Sequence, residues 1–385
     1  MINKKLKVGN VPNLRFPSFE GEWETKKLGD LCKIYDGTHQ TPNYVESGIP
    51  FYSVEHITSN NFDKTKYISE EVYEKEIKRV KIEGGDILMT RIGDIGTSKY
   101  IDWNVKASFY VSLALIKQSS HINSKYLNQF ISTDFFQKEL WHRTIHVAFP
   151  KKINLGEIDN CIVNYPSNSE QKKISDFLSL LDERILTQSK IIKELEILIQ
   201  ELRNQIFKRK RRFTDTDGRD FAGWKKVKIG DILKIGNGKD YKHLQSGDIP
   251  VFGTGGFMTL VNDYLYDGET VCIGRKGTID KPMYHEGKLW TVDTLFYTHS
   301  FQSCIPKFIF HLFQTINWLE YNEASGVPSL SKTTIEKIGL QIPSIEEQER
   351  IASFLNKIDH KIQTEKAILE QLEMQKKYLL KQMFV

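Results

Sequence analysis

The chain states one long segment twice. Residues 166–207 and 343–384 align without a gap at a constant offset of 177, with sixteen of 42 pairs identical. Pro166-Ser167-x-x-Glu170-Gln171 returns as Pro343-Ser344-x-x-Glu347-Gln348, followed by Ile174/Ile351, Phe177-Leu178/Phe354-Leu355, Asp182/Asp359 and Phe207/Phe384. Two unrelated helices of similar composition would not match this far, so the chain carries a duplication and is expected to fold with pseudo-two-fold symmetry. Fainter echoes lie upstream. Phe19-x-Gly21-x-Trp23 with Leu28-Gly29-Asp30-Leu31 matches Phe221-Ala222-Gly223-Trp224 with Ile229-Gly230-Asp231-Ile232, and Gly85-Asp86-Ile87-Leu88 with Arg91 and Gly93 matches Gly268-Glu269-Thr270-Val271 with Arg275 and Gly277. The offset at the tryptophans is 201, so the second copy is shorter by about 24 residues. Between these anchors the copies look unrelated. The order is variable domain, conserved helix, variable domain, conserved helix.

Each conserved segment opens with Pro-Ser-x-x-Glu, the pattern of a capping box. Ser167 and Ser344 would accept the N3 backbone N–H, with Glu170 and Glu347 reaching back to the N-cap N–H. A heptad rhythm follows. Leu178, Ile185, Ile192, Ile199 and Ile206 take one seam position of the first helix, with Ile174, Leu181, Leu195 and Leu202 in the other. The second helix answers with Leu355, Ile362, Leu369 and Met383 beside Ile351, Ile358, Leu372 and Leu379. A helix of about 38 residues spans roughly 57 Å, more than a small core covers, so the two helices are expected to pair with each other as an antiparallel coiled coil. One seam position is polar in both copies, Gln188 and Glu365. In an antiparallel pair with full overlap the two would meet near the pseudo-dyad, where a polar pair sets register.

Composition bounds the chemistry. A length of 385 residues allows two or more cores, and a net charge of +5 leans basic without announcing nucleic acid by itself. Cys32, Cys161, Cys272 and Cys304 are scattered, which speaks against a zinc module and for a reducing compartment. Met1 to Asn10 lack the apolar core of a signal peptide, and no run reaches the roughly 20 apolar residues of a bilayer span, so a cytoplasmic location without membrane contact is expected. Catalytic signatures are missing. No Pro-Pro dipeptide occurs, so the Asn/Asp-Pro-Pro-Tyr/Phe element of amino-methyltransferases is absent. Gly236-Asn-Gly238-Lys239 lacks the first glycine and the final Ser/Thr of a phosphate loop. His142 and His146 have metal-ligand spacing with no Glu next to the first, and read as exposed loop or helix-end residues.

The variable stretches mix short apolar strands (86–91, 270–275) with glycine turns and one helical stretch each (Ser124–Trp141, Pro306–Tyr321), the signature of α+β domains. Basic and hydroxyl side chains gather at their turns. Arg91, Lys99, Arg275, Lys276 and Lys281 follow matching strands, and Arg143, Lys151, Lys152, Lys239, Tyr241, Lys242, Thr254, Ser329, Ser331 and Lys332 sit in turn-like segments. Arg and Lys suit phosphates and guanine edges, and Ser and Thr make shorter contacts, which makes these residues candidates for DNA. Singly, each is more readily an ordinary solvated charge; Arg91 and Arg275 stand out by recurring at one point of two diverged domains. Lys208-Arg-Lys-Arg-Arg212 closes the first helix, where it complements the helix dipole or meets phosphate.

The two-copy layout, with Pro166-Ser-x-x-Glu-Gln171 and Pro343-Ser-x-x-Glu-Gln348 opening the helices and Trp23…Leu28-Gly29-Asp30 and Trp224…Ile229-Gly230-Asp231 opening the variable domains, resembles the specificity (S) subunit of type I restriction-modification systems. The likeness covers essentially the whole chain, with single prolines where the family often has two. It implies target-recognition domains over 1–165 and 213–342, a central helix and basic linker over 166–212, and a C-terminal helix over 343–385. It implies a non-catalytic chain whose two domains read the halves of an asymmetric bipartite double-stranded DNA site, at a spacing set by the helices. Two methyltransferase (M) subunits and restriction/translocase (R) subunits would be the partners, with S-adenosylmethionine, ATP and Mg²⁺ carried by them and no cofactor in this chain. Other readings are a specificity chain serving a fused restriction–methylation enzyme and a coiled-coil adaptor with no DNA role.

Overall fold

The structure is a computed structural model and describes residues 9–385; the polar segment Met1–Val8 lies outside the described residues. The chain divides into two compact units, one of residues 1–187 with 369–385 and one of residues 188–368.

The first unit begins with β1 (Glu24–Lys27), α1 (Leu28–Leu31), β2 (Ile34–Asp36), β3 (Tyr44–Val45) and β4 (Ile49–Tyr52). It continues with α2 (Val54–Ser59), β5 (Lys66–Ile68), α3 (Glu70–Glu76), β6 (Ile87–Ile92), β7 (Asp94–Tyr100), β8 (Ser108–Phe109) and β9 (Leu113–Ile116). Then come α4 (Ser124–Ile131), α5 (Asp134–Arg143), α6 (Leu155–Asp159), β10 (Ile162–Tyr165) and the long α7 (Asn168–Phe207). The strands form sheets ordered β2-β9-β6-β7 and β3-β5-β4-β8, with β4 parallel to β8, while β1 and β10 pair antiparallel at the domain's root. The stretch Ser124–Trp141 is two helices rather than one. Thr133 accepts the Phe136 N–H as an N-cap and starts α5 afresh.

The second unit has β11 (Lys225–Lys228), α8 (Ile229–Ile232), β12 (Lys234–Asn237), β13 (Ile249–Gly253), β14 (Gly256–Val261) and β15 (Tyr266–Asp267). These are followed by β16 (Thr270–Gly274), β17 (Met283–His285), β18 (Lys288–Thr291), β19 (Leu295–His299), α9 (Pro306–Phe313), α10 (Lys332–Lys337), β20 (Gly339–Ile342) and the long α11 (Ile345–Met383). Its sheet β12-β19-β16-β17 repeats β2-β9-β6-β7 of the first unit. In β14-β13-β18-β15 the parallel pair β13–β18 answers β4–β8, but the fourth strand, β15, lies beside β18 where β3 lies beside β5. The helical stretch 306–321 ends early, at Phe313, and resumes as a 3₁₀ turn at Trp318–Tyr321. The first copy's extra chain is visible as α2 and α3; the second copy turns from β13 directly into β14.

Each unit is closed by the start of one long helix and the end of the other. In the first, Phe16 meets Phe177 edge-on at 5.9 Å, and Phe384 lies 6.2 Å from Trp23 and 5.4 Å from Tyr126. The second repeats this, with Phe213 on Phe354 at 5.6 Å and Phe207 at 6.2 Å from Trp224 and 5.5 Å from Phe308. The heptad residues Ile174, Leu178, Leu379 and Met383 are buried in the first core, and Ile199, Leu202, Ile206, Ile351, Leu355 and Ile362 in the second. Within the second unit, ties such as Arg203 to Asp359 (2.9 Å) and Gln188 to Glu365 (3.1 Å) run in opposite residue order, so the helices pair antiparallel there.

The capping-box carboxylates do something other than cap. Glu170 gives both oxygens to Arg15 at 2.8 and 2.7 Å, and Glu347 accepts from Arg212 at 3.4 and 3.0 Å. A charge-assisted fork outcompetes a neutral backbone N–H for a buried carboxylate. Ser344 does accept the Glu347 N–H (3.4 Å), whereas the Ser167 hydroxyl pairs with Ser169. The same arginines also hold carbonyls of the following turn, Glu20 and Gly21 in one copy and Phe221 and Ala222 in the other. The neighbouring glutamines pin the domain helices. Gln171 accepts the N–H of Asn123, the N-cap of α4, and Gln348 accepts that of Ile305, the N-cap of α9.

Candidate nucleic-acid interface

The two recurring arginines stand on identical backbone frames. Arg91 donates its N–H to Ser112 (2.9 Å) and its Nη1 to Val111 (3.4 Å), and accepts the Ile153 N–H (3.0 Å), while Gly93 donates to Lys151 (2.8 Å). Arg275 donates to Thr294 (2.8 Å) and through Nη1 to Asp293 (3.3 Å), and accepts the Leu330 N–H (2.9 Å), while Gly277 donates to Pro328 (2.8 Å). Gly93 and Gly277 have positive φ, as the turn after each arginine demands. Three loops thus converge in each unit: the turn carrying the arginine, the strand connection beyond it, and the loop preceding α6 or α10.

Identical frames carry different surfaces. Arg91 is buried, and burial draws its guanidinium pKa down despite nearby Asp36; its Nε has no partner. Arg275 is exposed, its guanidinium 5.9 Å from the Phe296 ring. Asp36 is itself buried, which pushes its pKa up, but Arg79 and His39 outweigh burial and hold the carboxyl below the ordinary range.

The other predicted residues divide. Lys239 joins the Arg275 cluster through its N–H to Thr291 (2.8 Å), Ser329 bridges Lys276, and a methyl at Gly277 would lie 3.4 Å from the Thr254 hydroxyl. Lys276, Lys239 and Lys242 are exposed. Lys151 joins the Arg91 cluster through the Gly93 bond. Tyr241 packs half-buried against Val251, Val261, Trp290 and Val292. Lys332 starts α10 with its amine 3.8 Å from Glu336. Lys99 sits at the far end of the β6–β7 hairpin from Gly93, paired with Leu88 and 5.8 Å from the Trp103 ring. Arg143 is held by Glu139 (3.1 Å) and Glu157 (3.5 Å); burial works against its charge, and the two carboxylates outweigh it.

Sequence reading missed Arg15 and Arg212, the clasps of Glu170 and Glu347. The signal was present as an Arg-Phe dipeptide repeated upstream of each tryptophan, Arg15-Phe16 and Arg212-Phe213. Among the described residues no cluster of His, Cys, Asp and Glu could hold a metal ion, and no helix is long and apolar enough to cross a membrane. All four cysteines are buried thiols.

The profile of the "Type I restriction modification DNA specificity domain" matches this chain twice, at residues 20–197 and 222–374. The MjaX specificity subunit of Methanocaldococcus jannaschii is 24% identical, with 98% of this chain and 94% of that one covered. The EcoprrI specificity subunit of Escherichia coli is 26% identical over 35% of this chain and 36% of its own length. Among solved structures, the type I restriction-modification S subunit from M. genitalium superposes with a TM-score of 0.67 at 16% identity, covering 97% of this chain and 99% of that one. A chain from a type I system solved to explain complex assembly and conformational transition gives 0.52 at 14% identity, covering 94% and 97%. With two profile matches set on two equivalent arginine-centred frames, the chain belongs to the type I restriction-modification DNA specificity family.

Proposed function

We propose that this chain is the DNA-reading, non-catalytic subunit of a cytoplasmic type I complex, each variable domain (within 1–165 and 213–342) recognising one half of an asymmetric bipartite site. The observation that carries the proposal is the pair of matched backbone frames around Arg91 and Arg275, which bear different side chains. A shared scaffold with divergent loop chemistry is how one fold reads two sequences. In the second domain the contacts fall to Arg275, Lys276, Lys239, Lys242, Thr254, Ser329 and Lys332; in the first, to Lys151 and Lys152, with Arg91 shaping the loop behind them. The long helices set the gap between half-sites and dock two methyltransferase subunits, which supply S-adenosylmethionine-dependent adenine N6 methylation. Restriction subunits supply ATP- and Mg²⁺-dependent translocation and cleavage.

The test is a methylome of cells carrying this chain with its neighbouring methyltransferase, against cells lacking only this chain. A bipartite motif methylated on both strands that disappears with the chain is the expected result. An unchanged methylome, with the methyltransferase expressed, would remove the reading and favour an adaptor role.

A further inference from the structure

One loop of the first unit is exposed in a way its neighbours are not. Between α5 and α6, Val147 and Phe149 are 96% and 104% exposed, an arrangement no folding term rewards. The loop is nevertheless pinned at its base. Ile145 donates to Lys152 (2.8 Å), Gly93 donates to Lys151, and His146 packs on Trp141 at 4.1 Å while its Nε2 meets the Trp141 carbonyl at 2.9 Å. The result is a rigid stem holding an apolar tip in water.

Within the loop itself the charge has one sign, although Arg143 at its base is already paired with Glu139 and Glu157. From Leu140 to Gly156 the chain holds no acidic residue and carries Arg143, Lys151 and Lys152 with His142 and His146. Lys151 and Lys152 are exposed and flank the tip directly. A protein partner would cover so apolar a tip with more apolar surface, whereas a cationic stem bearing an aromatic is complementary to a polyanion with stacked bases. The stem's root is the carbonyl of Arg91, at the centre of the frame described above. The equivalent loop of the second unit, rooted on Arg275, ends in Val327 at 56% exposure, has no aromatic, and contains Glu323.

We propose that Phe149, backed by Val147, is a wedge that enters a base step of duplex DNA, unstacking it, while Lys151 and Lys152 hold the flanking phosphates. The proposal rests on the DNA-reading function above. It deepens that function by predicting that only the half-site of the first unit is distorted, because the second unit's loop has no aromatic tip.

The experiment uses the chain assembled with its methyltransferase subunits on a duplex carrying the mapped site, with 2-aminopurine placed at successive positions through both half-sites. Beyond the rises at the flipped target adenines of both half-sites, fluorescence is expected to rise at one further step of one half-site, and that rise alone to vanish in Phe149→Ala and to persist in Phe149→Leu. Phe149→Ala is expected to weaken cognate binding roughly tenfold, the order of one lost base–aromatic stack. Its salt dependence is expected to match wild type, whereas Lys151→Ala/Lys152→Ala lowers the salt slope. Because Phe149 touches solvent, the unfolding temperature serves as the folding control. Wild-type affinity and fluorescence in Phe149→Ala would overturn the wedge while leaving DNA recognition intact. Loss of methyltransferase assembly in Phe149→Ala would make the tip a protein-docking residue and also overturn it. Failure of the wild-type complex to discriminate its site would bring down the DNA reading, and the wedge with it.

Discussion

Gln188 donates its side-chain amide to the backbone carbonyl of Glu365 at 3.1 Å and to that residue's carboxylate, and the two hold the same place in the two copies. Both are buried, and Lys361 holds the carboxylate from outside. Gln188→Leu leaves Glu365 buried beside an apolar side chain, so the single change is expected to destabilise the second unit. Adding Glu365→Leu is expected to restore wild-type stability or exceed it, since a well-packed apolar pair replaces a polar one. Urea unfolding followed by circular dichroism reads the cycle; simply additive losses would rule out direct coupling.

Arg15 and Arg212 are structural clasps. Glu170 and Glu347 are almost wholly buried, so Arg15→Ala or Arg212→Ala leaves an unpaired buried carboxylate, at about 3–5 kcal/mol. Neutralising the partner is expected to recover much of the loss, so Arg15→Ala/Glu170→Gln unfolds later than Arg15→Ala alone. Calorimetry decides; equal transitions for the two would mean the carboxylate is not the source of the cost.

The matched arginines are expected to fail in different assays. Arg275→Ala is expected to weaken cognate DNA binding by about 1–3 kcal/mol with little change in unfolding temperature. Arg91→Ala, which removes a buried side chain and its bond to Val111, is expected to lower the unfolding temperature of the first unit. Filter binding and thermal scans on both variants separate the roles; interchangeable effects would contradict the difference in burial.

His311 makes the second unit acid-sensitive. It is buried, accepts from Arg203 at Nδ1, donates from Nε2 to Asn356 at 2.9 Å, and faces Asp359 at 3.6 Å. Burial, then Arg203, lowers its pKa from 6.5 to about 3, with Asn356 pulling weakly upward. The unfolded chain binds the extra proton first, so this contribution is complete above pH 6.5 and is lost as pH falls toward 3, about 2–3 kcal/mol between pH 7 and 4. Asp359, raised chiefly by burial, opposes part of that slope just above the ordinary carboxylate range. His311→Gln, imitating Gln129 on Asp182 in the first unit, is expected to flatten the acid limb of stability against pH. An unchanged limb would place the sensitivity elsewhere.

The heptads, the repeated anchors and the polar seam position were legible because they depend on side chains, which a sequence displays directly. The kinship of the variable domains between those anchors was not. Thr38 to Phe109 and Lys239 to Thr291, or Arg91 to Ser112 and Arg275 to Thr294, are the same bonds made by main-chain atoms, which unlike residues supply equally well. The Arg15–Glu170 clasp was hidden for another reason, a separation of 155 residues with no periodicity joining the two ends. The break at Thr133 could have been read, since Thr-Asp is an N-cap signal inside an otherwise helical stretch. Exposure at the candidate DNA residues could not: Arg91 and Arg275 occupy equivalent positions, and only the packed neighbours bury one of them.

The placement of Phe384 against Trp23, with Met383 in the same core, has a consequence for synthesis. Residues 188–368 form one unit from a continuous stretch, so all of it is translated before Leu369 is added. The first unit, although begun earlier, lacks part of its core until residue 384 has left the ribosome. The nascent chain is therefore expected to complete its second unit first, while the unit begun earlier waits for residues 369–385 to fill its core.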